Sequence, residues 1–210
     1  MCRNYMLFPN FTEKAVTLSY DDGIRADKKL ISIMKANKLK GTFNLNSGLF
    51  VKENNGNDRE RITRDEALEF YTDSMMEVAV HGYKHEIWGG IDLPLAIKDI
   101  VEDKIHLERL FSSPTYGVAY PYGSYNDDVI DFIKKIGFKY SRIAESNGKF
   151  EIPVDWFKWA PTCHHDDPKL MELAKQFIEL KLSGWRYAPA IFYLWGHSYE
   201  FIDANNWYKI

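Results

Sequence analysis

Cysteine is nearly missing from this chain. Cys2 and Cys163 are the two thiols in 210 residues, too few and too far apart for a disulfide framework or a Cys-x-x-Cys metal pair. The chain therefore reads as intracellular or indifferent to redox state. Excess positive charge is missing as well. Lys and Arg total 27 against 30 Asp and Glu, a net charge of -3, and the cations are scattered among acids. With no basic stripe to follow a phosphate backbone, nucleic acid is excluded as the expected partner. Long apolar runs are absent: no stretch approaches the roughly 20 residues that cross a bilayer, and Met1 to Phe11 lacks the basic and apolar regions of a leader. No membrane span and a cytoplasmic location are the expectations. Internal repeats and low-complexity tracts do not occur. The Asn- and Gly-rich stretch Lys52 to Asp58 reads as a surface loop, not a linker. What remains, 45% hydrophobic and 27% charged, is the composition of a single domain over residues 1–210 with one sizeable core.

Short β-branched or apolar runs alternate with longer segments of helical period, the pattern of parallel strands joined by crossover helices. Strands are expected at Ala15 to Ser19, Gly41 to Leu45, Met76 to Val80, Tyr116 to Ala119, Lys139 to Arg142, Phe157 to Ala160 and Ala190 to Leu194. Between them, Leu30, Ile31 and Met34 mark a helix over Ala26 to Ala36. Thr63 with Glu66 forms a capping box opening a helix through Phe70. Leu95 to Leu110 is the longest helical segment; Asn126 caps another through Ile136, ended by Gly137. Asp167 with Pro168 at the first helical position starts one running to about Lys181. The class is α/β, and about seven parallel strands suit a distorted (β/α) barrel better than a small open sheet. Such a barrel would close with a helix after its last strand, and few residues follow Leu194 to supply one.

Ionisable residues gather just after these strands: Asp21 and Asp22 after the first, His81 and His85 after the third, His164 and His165 after the sixth, His197 after the seventh. In a parallel barrel those ends share one face, where loops converge above a packed core. Singly, each has a plain structural reading. An Asp-Asp-Gly turn can end a strand and cap a helix, His197 can be a hydrogen-bonded structural histidine, and Cys163 is most simply a small buried hydrophobe. Their joint placement is what points to chemistry.

The run AVTLSYDDG over Ala15 to Gly23, the His81-Gly-Tyr-Lys-His85 pair, the Ala119-Tyr-Pro-Tyr-Gly123 segment and Leu194-Trp-Gly-His197 resemble, in order, the motifs of the polysaccharide deacetylase family, the NodB homology domain. The resemblance implies that Asp22, His81 and His85 bind a divalent metal, usually zinc, with cobalt or nickel used by some members. Two imidazoles and one carboxylate leave coordination positions open, as a catalytic site requires. It further implies Asp21 as general base, His197 as the acid that protonates the leaving amine, and the backbone N–H of Tyr122, beside Pro121, as an oxyanion donor. The implied partner is an acetylated carbohydrate, and the implied products are acetate and a free amine. Aromatics form 15% of the chain, and Tyr83, Trp88, Tyr120, Tyr122, Trp195 and Tyr199 fall near the expected site, Tyr122 being the foremost candidate to meet a sugar ring.

Two departures stand out. Ala119 occupies the position where the family commonly carries an arginine that orients the catalytic aspartate, and Arg142 is a candidate replacement. The family's Asp-x-x-Asp-Trp motif is matched only by Asp155 and Trp156, with Ile152 in place of the first aspartate. His164 and His165 are secondary candidates for the local role; a solvated loop ahead of the Asp167 helix is the plain alternative. The same constellation would also serve an amidohydrolase acting on a non-sugar amide or ureide, or an O-acetyl esterase. An inactive carbohydrate-binding barrel is a further reading, with Ala119 as its sign.

Overall fold

The computed structural model describes residues 7–182 and 188–209; Cys2 lies outside them. Seven parallel strands form one sheet: β1 (Lys14–Asp21), β2 (Gly41–Leu45), β3 (Met76–Val80), β4 (Gly117–Ala119), β5 (Tyr140–Arg142), β6 (Cys163–His164) and β7 (Ala190–Gly196). Their order is β5-β4-β3-β2-β1-β7-β6, so β1 is an inner strand, with β2 on one side and β7 on the other. The expected α/β barrel of about seven parallel strands is the observed architecture, curled and incompletely hydrogen-bonded.

The sixth strand is corrected. Phe157 to Ala160 was expected to be extended, yet Asp155 accepts from the Phe157 N–H and starts a 3-10 turn over Trp156–Lys158. Trp159 makes a single parallel bridge to Arg142, and Pro161, which has no N–H to give a ladder, delays regular pairing until Cys163. The segment from Trp159 to His164 thus touches β5 at one end and β7 at the other, which narrows the gap between the sheet edges.

The helices are α1 (Asp27–Ala36), α2 (Arg64–Tyr71), α3 (Leu93–Phe111), α4 (Asp127–Lys135), α5 (Leu170–Glu179) and α6 (Ser198–Asp203). The Thr63/Glu66 capping box opens α2, and Asn126 caps α4 by accepting from the Val129 N–H at 2.9 Å. Asp167 and Pro168 precede α5 by a short turn, with Lys169 N–H donating to Asp167 Oδ1 at 2.8 Å. The closing helix is α6, packed directly after β7. Leu30, Ile31 and Met34 of α1, Ala96, Ile100 and Leu107 of α3, and Val129, Ile130 and Ile133 of α4 are buried against Leu18, Phe43, Leu45, Val80 and Val118 of the sheet. Each of the larger aliphatic side chains among them contributes roughly 1.5–3 kcal/mol by leaving water. Cys163 is a free thiol in this core. Among the described residues no helix is long and apolar enough to cross a membrane.

Candidate active site

Because every strand runs the same way, the residues that end them meet above the C-terminal edge of the sheet. Asp21 ends β1; Asp22 follows in the left-handed region, φ 85°, and the two carboxylates lie 3.8 and 4.0 Å from His81 Nε2. His81 follows β3, and His85, also left-handed at φ 60°, folds back over it. Tyr122 has φ 56°. Backbone held in this costly region is concentrated at functional sites, and here it falls on three of the residues singled out from sequence.

Asp22, His81 and His85 offer ligand atoms that all lie within 4.8 Å of one another. His81 Nδ1 is 2.8 Å from the Ala119 carbonyl, which places its proton there and leaves the Nε2 lone pair free. That nitrogen faces His85 Nε2 at 3.1 Å, and His85 Nε2 is 3.7 Å from Asp22 Oδ1. Burial, then the neighbouring His81, lowers His85 to about 4, so its imidazole is neutral at physiological pH. His85 can donate from Nε2 to His81 in this geometry; with its proton on Nδ1 instead, the two Nε2 lone pairs converge where a cation would sit. Bond lengths near 2.0–2.1 Å imply tetrahedral ligand separations of about 3.3–3.4 Å, which this donor set fits with small adjustments. The described residues therefore contain a cluster able to hold a divalent metal.

Asp21 is 2% exposed. Its Oδ2 forms a buried ion pair with Arg142, and its Oδ1 accepts from Asn44 Nδ2 at 2.8 Å. Burial alone would raise this carboxyl, but Arg142, then His81, His197 and Asn44, hold it below the usual range. Arg142 reaches from the end of β5 and stacks over Trp195, its guanidinium carbon 4.5 Å from the ring centre. The space beside Ala119 is therefore filled by an arginine from the next strand. His197 Nε2 stands 3.9 Å from Asp21 Oδ2. Although burial lowers the imidazole, Glu200 and then Asp21 outweigh it and raise His197 above its ordinary value.

These groups line a cavity of about 510 Å³, walled by Tyr120, Tyr122, Trp195 and Tyr199. Pro121 is buried and starts the turn that presents Tyr122; the Tyr122 ring, 69% exposed, packs edge-on to His85 with centres 4.4 Å apart. Trp88 is fully buried core, and Tyr83 packs on His106, so neither joins the wall. Asp155 is exposed at its turn. His164 and His165 do not line this cavity; they stand behind His197, around Glu200. A larger cleft of about 790 Å³, lined by Ser47, Phe50, Asn54, His106 and Arg109 among others, lacks any such cluster.

Several residues not singled out from sequence hold the site together. Asp103 of α3 accepts from the His81 N–H at 3.1 Å and from Ser47 N–H and Oγ at 2.8 and 2.6 Å. One turn earlier, Asp99 accepts from the Lys84 N–H at 2.6 Å and Trp88 Nε1 at 2.8 Å, which pins the loop carrying His85. Gly82, at φ 84°, is obligatory there, since a Cβ would come within 2.4 Å of Asp99 Oδ2. Asn46 donates to the carbonyls of His81 and Gly82 at 2.5 and 2.9 Å. Arg61 donates to Asn46 at 2.7 Å and pairs with Asp22 Oδ1 at 3.0 Å. A signal for the α3 pair was present: carboxylates four apart on the stripe that buries Ala96, Ile100 and Leu107.

Comparison with known proteins bears on the fold and the family. The poly-beta-1,6-N-acetyl-D-glucosamine N-deacetylase of Staphylococcus aureus (strain MSSA476) is 27% identical over 143 residues, 62% of this chain and 48% of that protein. The chain thus spans about half the length of the curated relatives it matches. Among solved structures, the Streptococcus pyogenes deacetylase PplD in complex with acetate aligns with a TM-score of 0.56 at 20% identity, covering 67% of this chain and 59% of that one. BA3943, a CE4 family pseudoenzyme from Bacillus anthracis, aligns with a TM-score of 0.56 at 19% identity over 95% of this chain and 61% of its own. At these identities the likeness is one of fold. The family model for polysaccharide deacetylase matches residues 9–141, a span that contains the β1 aspartates, both histidines after β3 and the turn at Tyr122, and the chain belongs to that family.

Proposed function

We propose that this protein is a metal-dependent hydrolase that removes acetyl groups from N-acetylated sugars, with zinc as the resident ion and cobalt or nickel as substitutes. The observation that carries the reading is the meeting, in one cavity, of a buried ionised aspartate, a three-donor cluster and a histidine of raised proton affinity. Asp22, His81 and His85 would hold the ion. When bound, it supplies Lewis acidity toward the acetyl carbonyl and the attacking water, which a carboxylate as weakly basic as Asp21 requires.

Asp21 stays ionised in the working pH range and takes the proton of the attacking water. Arg142 and Asn44 fix its two oxygens, so the base keeps its orientation when charge develops beside it. The Tyr122 N–H, at the cavity wall, stabilises the oxyanion. An amine leaves poorly until protonated, and His197, with Nε2 3.9 Å from Asp21 Oδ2, holds the proton for it. The aromatic walls suit sugar rings, which stack their apolar faces on flat side chains. The N-acetylglucosamine polymer named for the Staphylococcus aureus relative supports an acetylated amino sugar as the substrate class. Ala119 does not count as a sign of inactivity, because Arg142 supplies the guanidinium on Asp21.

Metal content and turnover separate the assigned roles. Asp21→Asn is expected to retain the ion and lose turnover by roughly 100-fold or more, whereas His81→Ala loses both. If Asp21→Asn turns over as fast as the parent, the assignment of the base is wrong.

A further inference from the structure

His197 is the N-cap of α6, and Glu200 sits one turn into that helix. Glu200 Oε2 accepts from the His197 backbone N–H at 2.9 Å, and Glu200 Oε1 lies 3.3 Å from His197 Nδ1, within ion-pair range but short of an aligned hydrogen bond. The same carboxylate meets two more imidazoles: His164 Nε2 and His165 Nε2 are each 3.2 Å from Oε2. His164 Nδ1 accepts from the Asp166 N–H at 3.2 Å, so in the neutral ring the proton is on Nε2, the nitrogen 3.2 Å from Glu200 Oε2. His165 is 1% exposed and stacks on Phe201 with centres 4.1 Å apart. Its ring occupies a slot that exists because residue 196 is glycine; a Cβ there would lie 2.0 Å from His165 Nδ1. Three rings from two separate strand ends thus converge on one carboxylate. Burial would raise Glu200, but His164 and then His197 hold it below the usual carboxylate range.

We propose that Glu200 is the positioning residue of the reaction: it fixes the His197 ring through Nδ1, so that Nε2 faces Asp21 and the leaving amine, while the His164 and His165 rings pack around Glu200. This rests on the reading of His197 as the acid. A carboxylate on one imidazole nitrogen sets the tautomer, orients the ring and favours the imidazolium that must donate from the other nitrogen. A helix residue three positions after the histidine is well suited to the task, because N-cap and N3 side chains lie beside each other. His164, His165, Asp166 and Glu200 also offer ligand atoms within 4.8 Å of one another, the spacing of a cation site. In the neutral His164 ring Nε2 carries the proton, and a protonated nitrogen cannot be a ligand, which takes His164 out of such a site.

The test uses the zinc-loaded full chain, its Glu200→Gln and Glu200→Asp variants, and two substrates: an N-acetylated chitooligosaccharide and 4-nitrophenyl acetate, whose phenolate leaves without a proton. Glu200→Gln is expected to lower kcat on the acetamide roughly 10- to 100-fold with KM within about twofold. Its loss on the aryl ester should be roughly tenfold smaller or less, and Glu200→Asp should recover part of the acetamide rate. Equal losses on both substrates, or none on the acetamide, would overturn the proposal. So would a second zinc per chain in the parent that Glu200→Gln abolishes. A parent that cleaves neither substrate would count against the deacetylase reading alone, and nitrogen NMR of the neutral imidazoles at alkaline pH then decides on Glu200. The parent should carry the His197 proton on Nδ1, and Glu200→Gln should shift it toward Nε2; an unchanged tautomer overturns the positioning role.

Discussion

The buried pair between Asp21 and Arg142 joins an inner strand of the sheet to its edge, and breaking it gives a measurable cost of known sign. Both side chains are nearly inaccessible, 3% and 2% exposed. Arg142→Met keeps much of the stem over Trp195 but leaves Asp21 as a buried charge with Asn44 as its remaining side-chain donor. Removing one partner of such a pair costs roughly 3–5 kcal/mol, and the surviving Asn44 bond puts the expectation at about 3 kcal/mol. Asp21→Asn alone strands the guanidinium in the same way. The double variant has no unpaired charge, so its destabilisation should fall short of the sum of the two by about 2 kcal/mol or more, against the few tenths expected of independent sites. Urea unfolding of the metal-free chains reads all three values. The pH dependence has a definite sign. Asp21 is held below its unfolded value, so the pair's contribution is present above the unfolded carboxyl range near 3.9 and is lost as pH falls through the folded value. The Arg142→Met deficit should therefore be largest near neutrality and shrink in acid. Additive single-variant losses, or a deficit that grows in acid, would refute the reasoning.

Three further outcomes follow from the geometry. Asp103→Ala removes the acceptor of the Ser47 N–H and one of the two acceptors of the His81 N–H and should weaken zinc binding roughly 10- to 100-fold, read by competition with a chromogenic chelator. Gly82→Ala combines the φ of 84° with a Cβ 2.4 Å from Asp99; an unfolding cost of roughly 1–3 kcal/mol and reduced zinc affinity should appear together. Asp27, buried beside Tyr71 Oη at 2.5 Å, is raised to about 7 by its burial. Because its folded value lies above the unfolded one, its contribution is fully present in acid and is lost as pH rises through about 7. Melting temperatures between acid and mildly alkaline pH should accordingly fall less for Asp27→Asn than for the parent.

Much of this was legible in the sequence because it rests on local signals. Strand and helix periods, the Thr63 and Asn126 caps, and the polar residues after successive strands are read within a few positions, and the parallel topology then brings their ends to one face. The sixth strand was not, since Asp155 and Pro161 impose a turn that apolar character alone does not reveal. Nor were the supports of the site. Asp99 and Asp103 touch residues up to 56 positions away, and Glu200 meets His164 and His165 only because β6 and β7 are neighbours. Arg142 could be named as a replacement for the missing arginine, but its distance to Asp21 depends on two strands that sequence does not place. Contacts across the sheet edge are set by register, which a linear pattern carries weakly.

The central claim is that one cavity joins a metal cluster to a base that works beside it. Its most direct test is acetate release from a panel of N-acetylated and O-acetylated oligosaccharides, using metal-stripped protein, the same protein with zinc, cobalt or nickel restored, and Asp21→Asn. Release that needs the restored ion and is lost in an Asp21→Asn variant still carrying it is the expected result; no release from any substrate with the ion demonstrably bound, or equal release from Asp21→Asn, would contradict the account.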